Sequence, residues 1–476
     1  MAKFTVTEDI FYATIAELGE GLRKKEFSAV ELTRAFCERL ETLGPRHNAL
    51  ALTLRESALK KAKDVDHELK IDRPRNPLHG IPYGVKDLLA VKGKPTTWGA
   101  KPYVAQVFDD DAHVVESLDK VGAILIGKLS MVELAGGGGY RYASASLTGP
   151  GLNPWDRTRW SGGSSSGPGA ATAAGMVTFS LGSETSGSIL TPSAYCGVTG
   201  LRPTYGLVSR HGAMALSWTL DKIGPMCRSA EDCALVLSVI AGPDEDDPGS
   251  AGKSFRYAPQ YAKPASHLTI GYAPSDFEQA AASVRAGLEE ALRVVKAMGA
   301  TIKEVEIPEF PYGALTSTII GAEAGSIFEE LIRSGKVNEL ADHAQAQGLK
   351  AGLEISAADY LRAMRVRALV QEAFRDLFGG VDVLLAPTRP AVASKISDPL
   401  DRGAPASPGA KRGLNGLIPA GNLAGLPALS LPCGLAEGLP IAISLVGRPF
   451  SENQLIALGK TFQAQTDWHR KRPPVS

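Results

Sequence analysis

Residues 161–188 read SGGSSSGPGAATAAGMVTFSLGSETSGS, and the first nine of them have the composition of a flexible linker. A Gly/Ser tether is normally flanked by polar, mobile sequence, but this one runs directly into an uncharged stretch of small and apolar residues. Small side chains allow backbones to approach closely and leave main-chain N–H groups open to a ligand. A second Ser/Gly cluster at 184–188 repeats this arrangement. We therefore interpret the segment as a packed part of a site and reject a tether between domains.

The whole chain has the composition of an ordinary folded protein. Its 476 residues are 44% hydrophobic and 21% charged, and 51 Lys and Arg balance 51 Asp and Glu. This balance gives no general attraction to nucleic acid or to anionic membranes. The five cysteines are scattered and form no C-x-x-C pair, which argues against a disulfide framework. With no signal-peptide pattern at the N-terminus and no long apolar run, we expect a cytoplasmic protein without a membrane or nucleic-acid partner.

Strand and helix patterns alternate along most of the chain. Charged amphipathic helices are predicted from residue 14 to about 69, and a short buried strand within 121–130. A β-α-β unit follows at about 267–308, and a helix starting near Ser356 leads into another strand. We expect an α/β fold in one large domain, residues 1–476. A variable helical cap or substrate-specificity segment is predicted at about 310–420, and a long surface loop between 391 and 425.

Several motifs together resemble the amidase signature family. Besides the Gly/Ser segment and its continuation to residue 209, they are PLHGIPYGVKD (77–87), AILIGKLSMVELA (123–135), LDKIGPM (220–226) and the C-terminal stretch 425–452. The similarity covers most of the chain outside about 240–370. It implies a single α/β/α domain around a large mixed sheet, and hydrolysis of amide bonds by a serine, a second serine in a cis peptide and a lysine.

The resemblance assigns the catalytic roles to three residues. Lys86 in GVKD is the lysine, Ser164 after two glycines is the cis serine, and Ser188, 24 residues later, is the nucleophile. Ser188 would pass its proton to Ser164, and Ser164 its own proton to a neutral lysine. A free lysine has a pKa of about 10.4, so burial must lower it by roughly 3 units. We expect Asp87 to point to the opposite face of the strand.

The resemblance also assigns residues that bind the substrate. The main-chain N–H groups of Thr185, Ser186, Gly187 and Ser188 would form the oxyanion hole, each contributing about 3 kcal/mol in the transition state. The positions Ala135, Gly136 and Gly137 are interpreted as a wall of the acyl pocket, with a purely structural turn as the alternative. No metal and no cofactor are expected, since the histidines show no paired spacing.

Three positions depart from the usual form of the signature, D-x-G-G-S-I-R. Glu184 replaces the aspartate, Ser186 the first paired glycine and Leu190 the arginine. Without that arginine, Glu184 must find other donors or be exposed. The change also argues against a site that holds a charged, glutamine-like substrate there.

Two other motifs occur by chance in our interpretation. Residues 163–167 satisfy G-x-S-x-G, the nucleophile elbow of α/β-hydrolases, but no strand pattern precedes them. Residues 122–129 nearly match a phosphate loop, yet their centre reads as a strand, so Lys128 is predicted to be structural.

The preferred hypothesis is a cofactor-free hydrolase that forms an acyl-enzyme on Ser188 from a small amide, with esters and carbamates as further substrates. The first alternative is the glutamine-hydrolysing A subunit of a glutamyl-tRNA amidotransferase, which Leu190 disfavours. The second is a non-enzymatic binding scaffold with the same fold. A homodimer is common in the family, whereas the acyl group and the leaving amine are not specified by the motifs.

Overall fold

The computed structural model describes residues 6–71, 74–400 and 417–474. The loop expected between 391 and 425 therefore lies partly outside the described residues. Strands from both halves of this described chain form one mixed sheet of eleven strands. The strands are β1 (Leu50–Thr53), β2 (Pro82–Lys86), β3 (Ile124–Leu129), β4 (Phe179–Glu184), β5 (Thr199–Arg202), β6 (Lys222–Cys227), β7 (Thr269–Tyr272), β8 (Thr301–Glu304), β9 (Val383–Pro387), β10 (Ala428–Ala436) and β11 (Leu439–Gly447).

Helices flank this sheet and connect its strands. They are α1 (Ile15–Lys24), α2 (Ala29–Leu43), α3 (Arg55–Lys70), α4 (His113–Lys120), α5 (Ser166–Ala173), α6 (Leu190–Cys196), α7 (Ala230–Ile240), α8 (Pro274–Glu278), α9 (Ala282–Ala297), α10 (Tyr312–Ile327), α11 (Glu329–Arg333), α12 (His343–Gly352), α13 (Ala357–Leu377), α14 (Ile418–Ala424) and α15 (Glu452–Gln465). The expected α/β fold with a large mixed sheet is confirmed.

The strand order places sequence-distant strands side by side. The order is β1-β3-β2-β4-β6-β5-β10-β11-β9-β7-β8. β2 runs parallel to both β3 and β4, whereas β4 is antiparallel to β6. All residues of β2 and β4 are buried, because helices or loops cover both faces of the sheet there. The centre of the sheet is thus shielded from solvent, and the Gly/Ser segment lies along one of its edges.

The predicted local elements are found close to their expected bounds. α1 and α2 each begin with a capping box, formed by Thr14 with Glu17 and by Ser28 with Glu31. β7, α9 and β8 form the expected β-α-β unit, with β7 and β8 parallel. α13 begins after Ser356, whose side chain accepts the N–H of Asp359. α10 to α13 lie in the segment for which a helical cap was expected, and its role in specificity stays a prediction.

All five cysteine side chains are free thiols buried in the interior: Cys37, Cys196, Cys227, Cys233 and Cys433. Within the described ranges, no helix is long and apolar enough to cross a membrane. The same ranges contain no cluster of three or more His, Cys, Asp or Glu side chains that could hold a metal ion.

Candidate active site

The candidate site lies where the parallel strands β2 and β4 end on the same edge of the sheet. Lys86 is the last residue of β2, and the turn 185–188 directly follows β4. Ligand sites in open α/β sheets occur at the carboxyl ends of parallel strands. The Gly/Ser segment covers this edge, and every residue from 161 to 185 is buried. A mobile tether is therefore excluded, and a packed segment is confirmed.

Lys86 is fully buried, and its amine is hydrogen-bonded to two hydroxyl groups. Its Nζ lies 2.7 Å from Oγ of Ser164 and 2.9 Å from Oγ of Ser183. Burial lowers the pKa of the Lys86 amine to about 7, although the negative charges of Asp221 and Glu184 act in the opposite direction. A large fraction of this amine is thus neutral near neutral pH and able to accept a proton.

Asp87 points away from Lys86, as expected from strand alternation. Its carboxylate lies 2.9 Å from Nζ of Lys128 and accepts the N–H of Thr97 at 3.1 Å. Lys128 also donates to the carbonyl of Pro95 at 3.0 Å and to the hydroxyl of Thr96. Because Asp87 is occupied by these partners, it does not hold the Lys86 amine in its charged form. Lys128 forms part of a buried ion pair on β3, and a phosphate loop is excluded there.

Ser164 and Ser188 lie in adjacent segments. The peptide bond between Gly163 and Ser164 is cis, as the resemblance implies. The N–H of Ser165 donates to the carbonyl of Ser188 at 3.3 Å, which brings the two serine segments together. Ser188 is 8% exposed. Across residues 6–71, 74–400 and 417–474 its hydroxyl has no hydrogen-bond partner, so the structure joins Lys86 to Ser164 but shows no bond from Ser164 to Ser188.

The turn after β4 presents its main-chain donors without acceptors. Thr185 is 4% exposed and Ser186 is half-buried. None of the N–H groups of residues 185–188 donates to an oxygen atom of the described chain. Buried N–H groups are normally satisfied, so four consecutive open donors next to a serine hydroxyl are suited to receive an anionic oxygen.

Gly187→Ala should impair turnover more than stability. Gly187 has a φ of +92°, and an added Cβ would lie 3.0 Å from Cγ2 of Ile418 and 3.2 Å from Oγ1 of Thr191. Such backbone strain amounts to about 1–3 kcal/mol, and its relief would rotate the open N–H groups. We expect kcat/KM to fall by about 10²-fold for an amide substrate, the loss typical of one oxyanion donor.

A second glycine gives the matched control for this substitution. Gly438 lies in the turn between β10 and β11, has a φ of +76°, and would place a Cβ in open space. Gly438→Ala therefore carries similar backbone strain away from the site and should leave kcat/KM unchanged. Equal losses of activity in the two variants would contradict a role of the turn in binding the oxyanion.

The carboxylate of Glu184 accepts hydrogen bonds from other donors, in place of the arginine that is missing at position 190. It is fully buried and accepts Nη1 of Arg202 at 3.0 Å and Nδ2 of Asn422 at 2.8 Å. The N–H groups of Ile189 and Leu190 complete its shell at 2.9 and 3.0 Å. Burial alone would raise the pKa of Glu184, but the charge of Arg202 and these hydrogen bonds hold it below its ordinary value. Arg202 on β5 thus neutralises the carboxylate beneath the turn.

Arg202→Met should destabilise the fold strongly, because it leaves a buried carboxylate without its counter-charge. The expected loss is about 3–5 kcal/mol in the free energy of unfolding, measured by urea denaturation. The double variant Arg202→Met/Glu184→Gln removes both charges and should recover part of this loss. If the double variant is no more stable than Arg202→Met, the ion pair is not what stabilises this turn.

A cavity of about 430 Å³ opens against this site. Ser183, Thr185 and Ala135 belong to its wall, whereas Gly136 and Gly137 do not line it. An added Cβ on Gly137 would contact Cδ1 of Leu216 at 2.9 Å, so this glycine lies just behind the wall. Of the three residues expected in an acyl pocket, the structure brings only Ala135 to the cavity.

The motifs did not reveal two residues that contact the site. Ser183 shares the Lys86 amine with Ser164, and Asp221 accepts the hydroxyl of Thr185 at 2.5 Å. Ser183 lies on β4, five residues before Ser188, and its position beside Lys86 depends on the pairing of β4 with β2, which no local pattern in the sequence encodes. Asp221 directly precedes β6, whose pairing with β4 brings it beside Thr185.

The nucleophile-elbow motif has no structural support. An elbow needs a strand that leads into the serine, but residues 161–165 contain no strand, with a bend at 163–165, and α5 starts at Ser166. Ser165 instead donates its hydroxyl to the carbonyl of Ser183 at 3.2 Å, inside the core.

A large mixed α/β sheet that carries a buried lysine, two serines and open N–H groups on one edge defines the class of amidase signature proteins. The family model described as Amidase matches residues 31–456. The chain belongs to this family.

Individual relatives have different names. The A subunit of the glutamyl-tRNA(Gln) amidotransferase of Carboxydothermus hydrogenoformans is 36% identical, over 98% of this chain and 100% of that protein. The native peptide amidase from Stenotrophomonas maltophilia is 29% identical, with a TM-score of 0.84 over 100% of this chain and 99% of that one. The A subunit of the glutamyl-tRNA(Gln) amidotransferase of Thermotoga maritima is 27% identical, with a TM-score of 0.80 over 99% of this chain and 100% of that one.

Proposed function

We propose that this protein cleaves the C–N bond of an amide through an acyl-enzyme on Ser188. The hydroxyl of Ser188 attacks the carbonyl carbon, its proton passes to Ser164, and Ser164 gives its own proton to the neutral amine of Lys86. The proton returns by the same route to the leaving nitrogen, which departs as ammonia or an amine. Water then attacks the ester on Ser188 and releases the acid.

The open N–H groups of residues 185–188 would stabilise the negative oxygen in both steps. Such donors are preorganised in a dry site and need no rearrangement during the reaction. The same attack on a carbonyl serves esters and carbamates, which we include as further substrates. The proton transfer needs a hydrogen bond between the hydroxyls of Ser188 and Ser164, which would form when substrate is bound, since catalytic hydrogen bonds are often long or absent without it.

One observation carries this proposal: the fully buried amine of Lys86, with a pKa lowered to about 7, lies 2.7 Å from the hydroxyl of Ser164. A lysine on the surface would be charged and could not accept a proton at neutral pH. The three residues assigned as base, intermediate hydroxyl and nucleophile lie in the segments that resemble the motifs of the family, and all three lie within the range that the family model matches.

Covalent labelling tests the proposal directly. A serine-directed sulfonyl fluoride should modify one residue, and peptide mass spectrometry should locate the adduct on Ser188. Prior incubation with an amide substrate should slow the labelling. Absence of an adduct, together with absence of turnover on any amide, would favour the binding-scaffold alternative.

A second candidate function is the glutamine-hydrolysing A subunit of an amidotransferase. The curated relatives with 36% identity over nearly the whole chain bear that name, and they support this candidate better than the stand-alone amidase. In that case the chain would act with partner subunits and release ammonia from glutamine. The replacement of the signature arginine by Leu190 is the sequence feature that argues against it.

The two candidates differ in what the purified chain does alone. A stand-alone amidase should hydrolyse several primary amides as a single polypeptide of 50.1 kDa or as a homo-oligomer. An A subunit should act on glutamine or asparagine, and its rate should rise when partner subunits from an amidotransferase are added. A rate on simple amides that exceeds the rate on glutamine would exclude the second candidate.

A further inference from the structure

The cavity beside the candidate site is the starting point for a statement on the substrate. It adjoins the candidate catalytic residues through two residues of its wall: Ser183 binds the Lys86 amine, and Thr185 belongs to the turn that leads to Ser188. A volume of about 430 Å³ falls within the range of small-molecule sites. A group that enters this cavity therefore lies next to a carbonyl held on the turn.

Most of the cavity wall is apolar. One strip of loop, residues 213–216, contributes four consecutive side chains, and Leu88 and Ile223 add aliphatic surface from the neighbouring elements. Trp218 also lines the cavity and is 43% exposed. Apolar surface of this kind favours the binding of apolar groups, because their transfer out of water is favourable.

Three charged residues of the wall, Arg210, Asp247 and Asp221, are already paired with each other or with polar groups of the protein. Arg210 makes a bidentate ion pair with Asp247, with Nε–Oδ2 and Nη2–Oδ1 distances of 2.9 and 2.6 Å. Asp221 accepts the hydroxyl of Thr185 at 2.5 Å and the N–H groups of Leu216 and Ser217 at 2.8 and 2.9 Å.

Lys222 is also withdrawn from the cavity. It is 2% exposed, and its amine donates to the carbonyl of Leu220. Asp246 is exposed at the rim. A free amino acid such as glutamine carries an ammonium and a carboxylate that both need partners when they leave water, and the described wall offers no free pair of charges in its interior.

We propose that this cavity receives the apolar part of a neutral amide, so that the protein prefers amides with a short alkyl or aryl group over glutamine. The inference rests on the proposed cleavage at Ser188, and it identifies the substrate class of that site. It also separates the two candidate functions, because the A-subunit candidate requires glutamine.

A chain-length series tests the inference. Propanamide and hexanamide differ by three methylenes, and each buried methylene is worth about 0.8 kcal/mol, or roughly fourfold. We expect kcat/KM for hexanamide to exceed that for propanamide by up to roughly 60-fold, and to exceed that for L-glutamine by at least about tenfold. A ratio of hexanamide to propanamide below about threefold, or a preference for glutamine, would overturn the inference.

Two alanine-to-phenylalanine variants connect the preference to the cavity. Ala215 lines the cavity, whereas Ala358 is exposed on α13 and is not among the lining residues. Ala215→Phe should fill the space and reduce the hexanamide-to-propanamide ratio to about the level of a single methylene, roughly fourfold. Ala358→Phe should retain the wild-type ratio. An unchanged ratio in Ala215→Phe would place the alkyl group elsewhere and refute the assignment.

Binding without catalysis distinguishes failure of the inference from failure of the proposed function. In the Ser188→Ala protein, calorimetry should show tighter binding of hexanamide than of propanamide, and Ala215→Phe should abolish the difference. If this difference is found but no amide is hydrolysed by the wild type, the cavity assignment stands and the proposed function fails. If hydrolysis occurs without any such difference, the function stands and the cavity assignment fails.

Discussion

Ser188→Ala is expected to reduce kcat for amide hydrolysis by about 10⁴-fold or more, as removal of a nucleophilic serine does in other serine hydrolases. The hydroxyl of Ser188 would supply the electrons for the new C–O bond, and alanine has no group that can replace it. The open N–H groups of the turn and the cavity wall remain, so KM should change little. The measurement is release of ammonia from a primary amide, with single-turnover kinetics to detect residual activity.

A second serine provides the control for this substitution. Ser144 is exposed and its side chain makes no hydrogen bond with the described residues. Ser144→Ala should keep full activity and the same thermal midpoint. If Ser188→Ala retains activity within tenfold of the wild type, the acyl-enzyme on this residue is refuted.

Lys86→Met should reduce kcat/KM by about 10³-fold, within the usual contribution of a general base. The wild-type enzyme should in addition lose activity as the pH falls. The amine is active when neutral, and its pKa is about 7, so kcat/KM should decrease tenfold per pH unit below about 7 and level off above it. Methionine preserves most of the buried volume but cannot accept a proton.

The shape of the pH profile distinguishes a base from a merely structural lysine. In Lys86→Met the residual rate should lose the inflection near pH 7, whereas Lys296→Met, at an exposed position of α9, should keep the wild-type profile. An inflection that persists unchanged in Lys86→Met would assign it to another group. The proton relay would then be wrong, even if Ser188 is the nucleophile.

Local features of the fold were predictable from the sequence, and long-range pairings were not. The capping residues Thr14, Ser28 and Ser356 mark the helix starts in the sequence, because caps depend on neighbours three residues away. The β-α-β unit around α9 was likewise predictable, because its two strands and its helix follow one another directly in the sequence. The order in which β4, β6, β5 and β10 lie side by side depends on contacts between distant segments, and no local pattern encodes it.

The candidate site shows the same division. Lys86, Ser164 and Ser188 could be named because each lies in a motif of the family. Arg202 could not be identified as the partner of Glu184, since it replaces a missing neighbour from a position 18 residues away, on a strand two places along the sheet. Asp221 could likewise not be identified from the sequence as a partner of Thr185, because the pairing of β6 with β4 brings the two residues together.

The departures from the signature therefore affect the surroundings of the turn more than the turn itself. The four N–H groups remain open although Ser186 and Leu190 replace the usual residues. The counter-charge of Glu184 comes from Arg202 on β5 instead of from a side chain at position 190. A carboxylate-binding arginine is thus absent at position 190, and the arginine and lysine of the described cavity wall, Arg210 and Lys222, are held by other partners. These features and the names of the curated relatives favour different substrates, and the chain-length series decides between them.

The five buried thiols can be used to detect local opening of the fold. Because none of the side chains reaches the surface, a reagent such as an aromatic disulfide can modify them only after the surrounding segments separate. Cys196 at the end of α6 and Cys433 on β10 belong to different parts of the molecule. Mass spectrometry can determine the order in which the two thiols react. That order would reveal whether the edge that carries the Gly/Ser turn opens locally before the rest of the sheet unfolds.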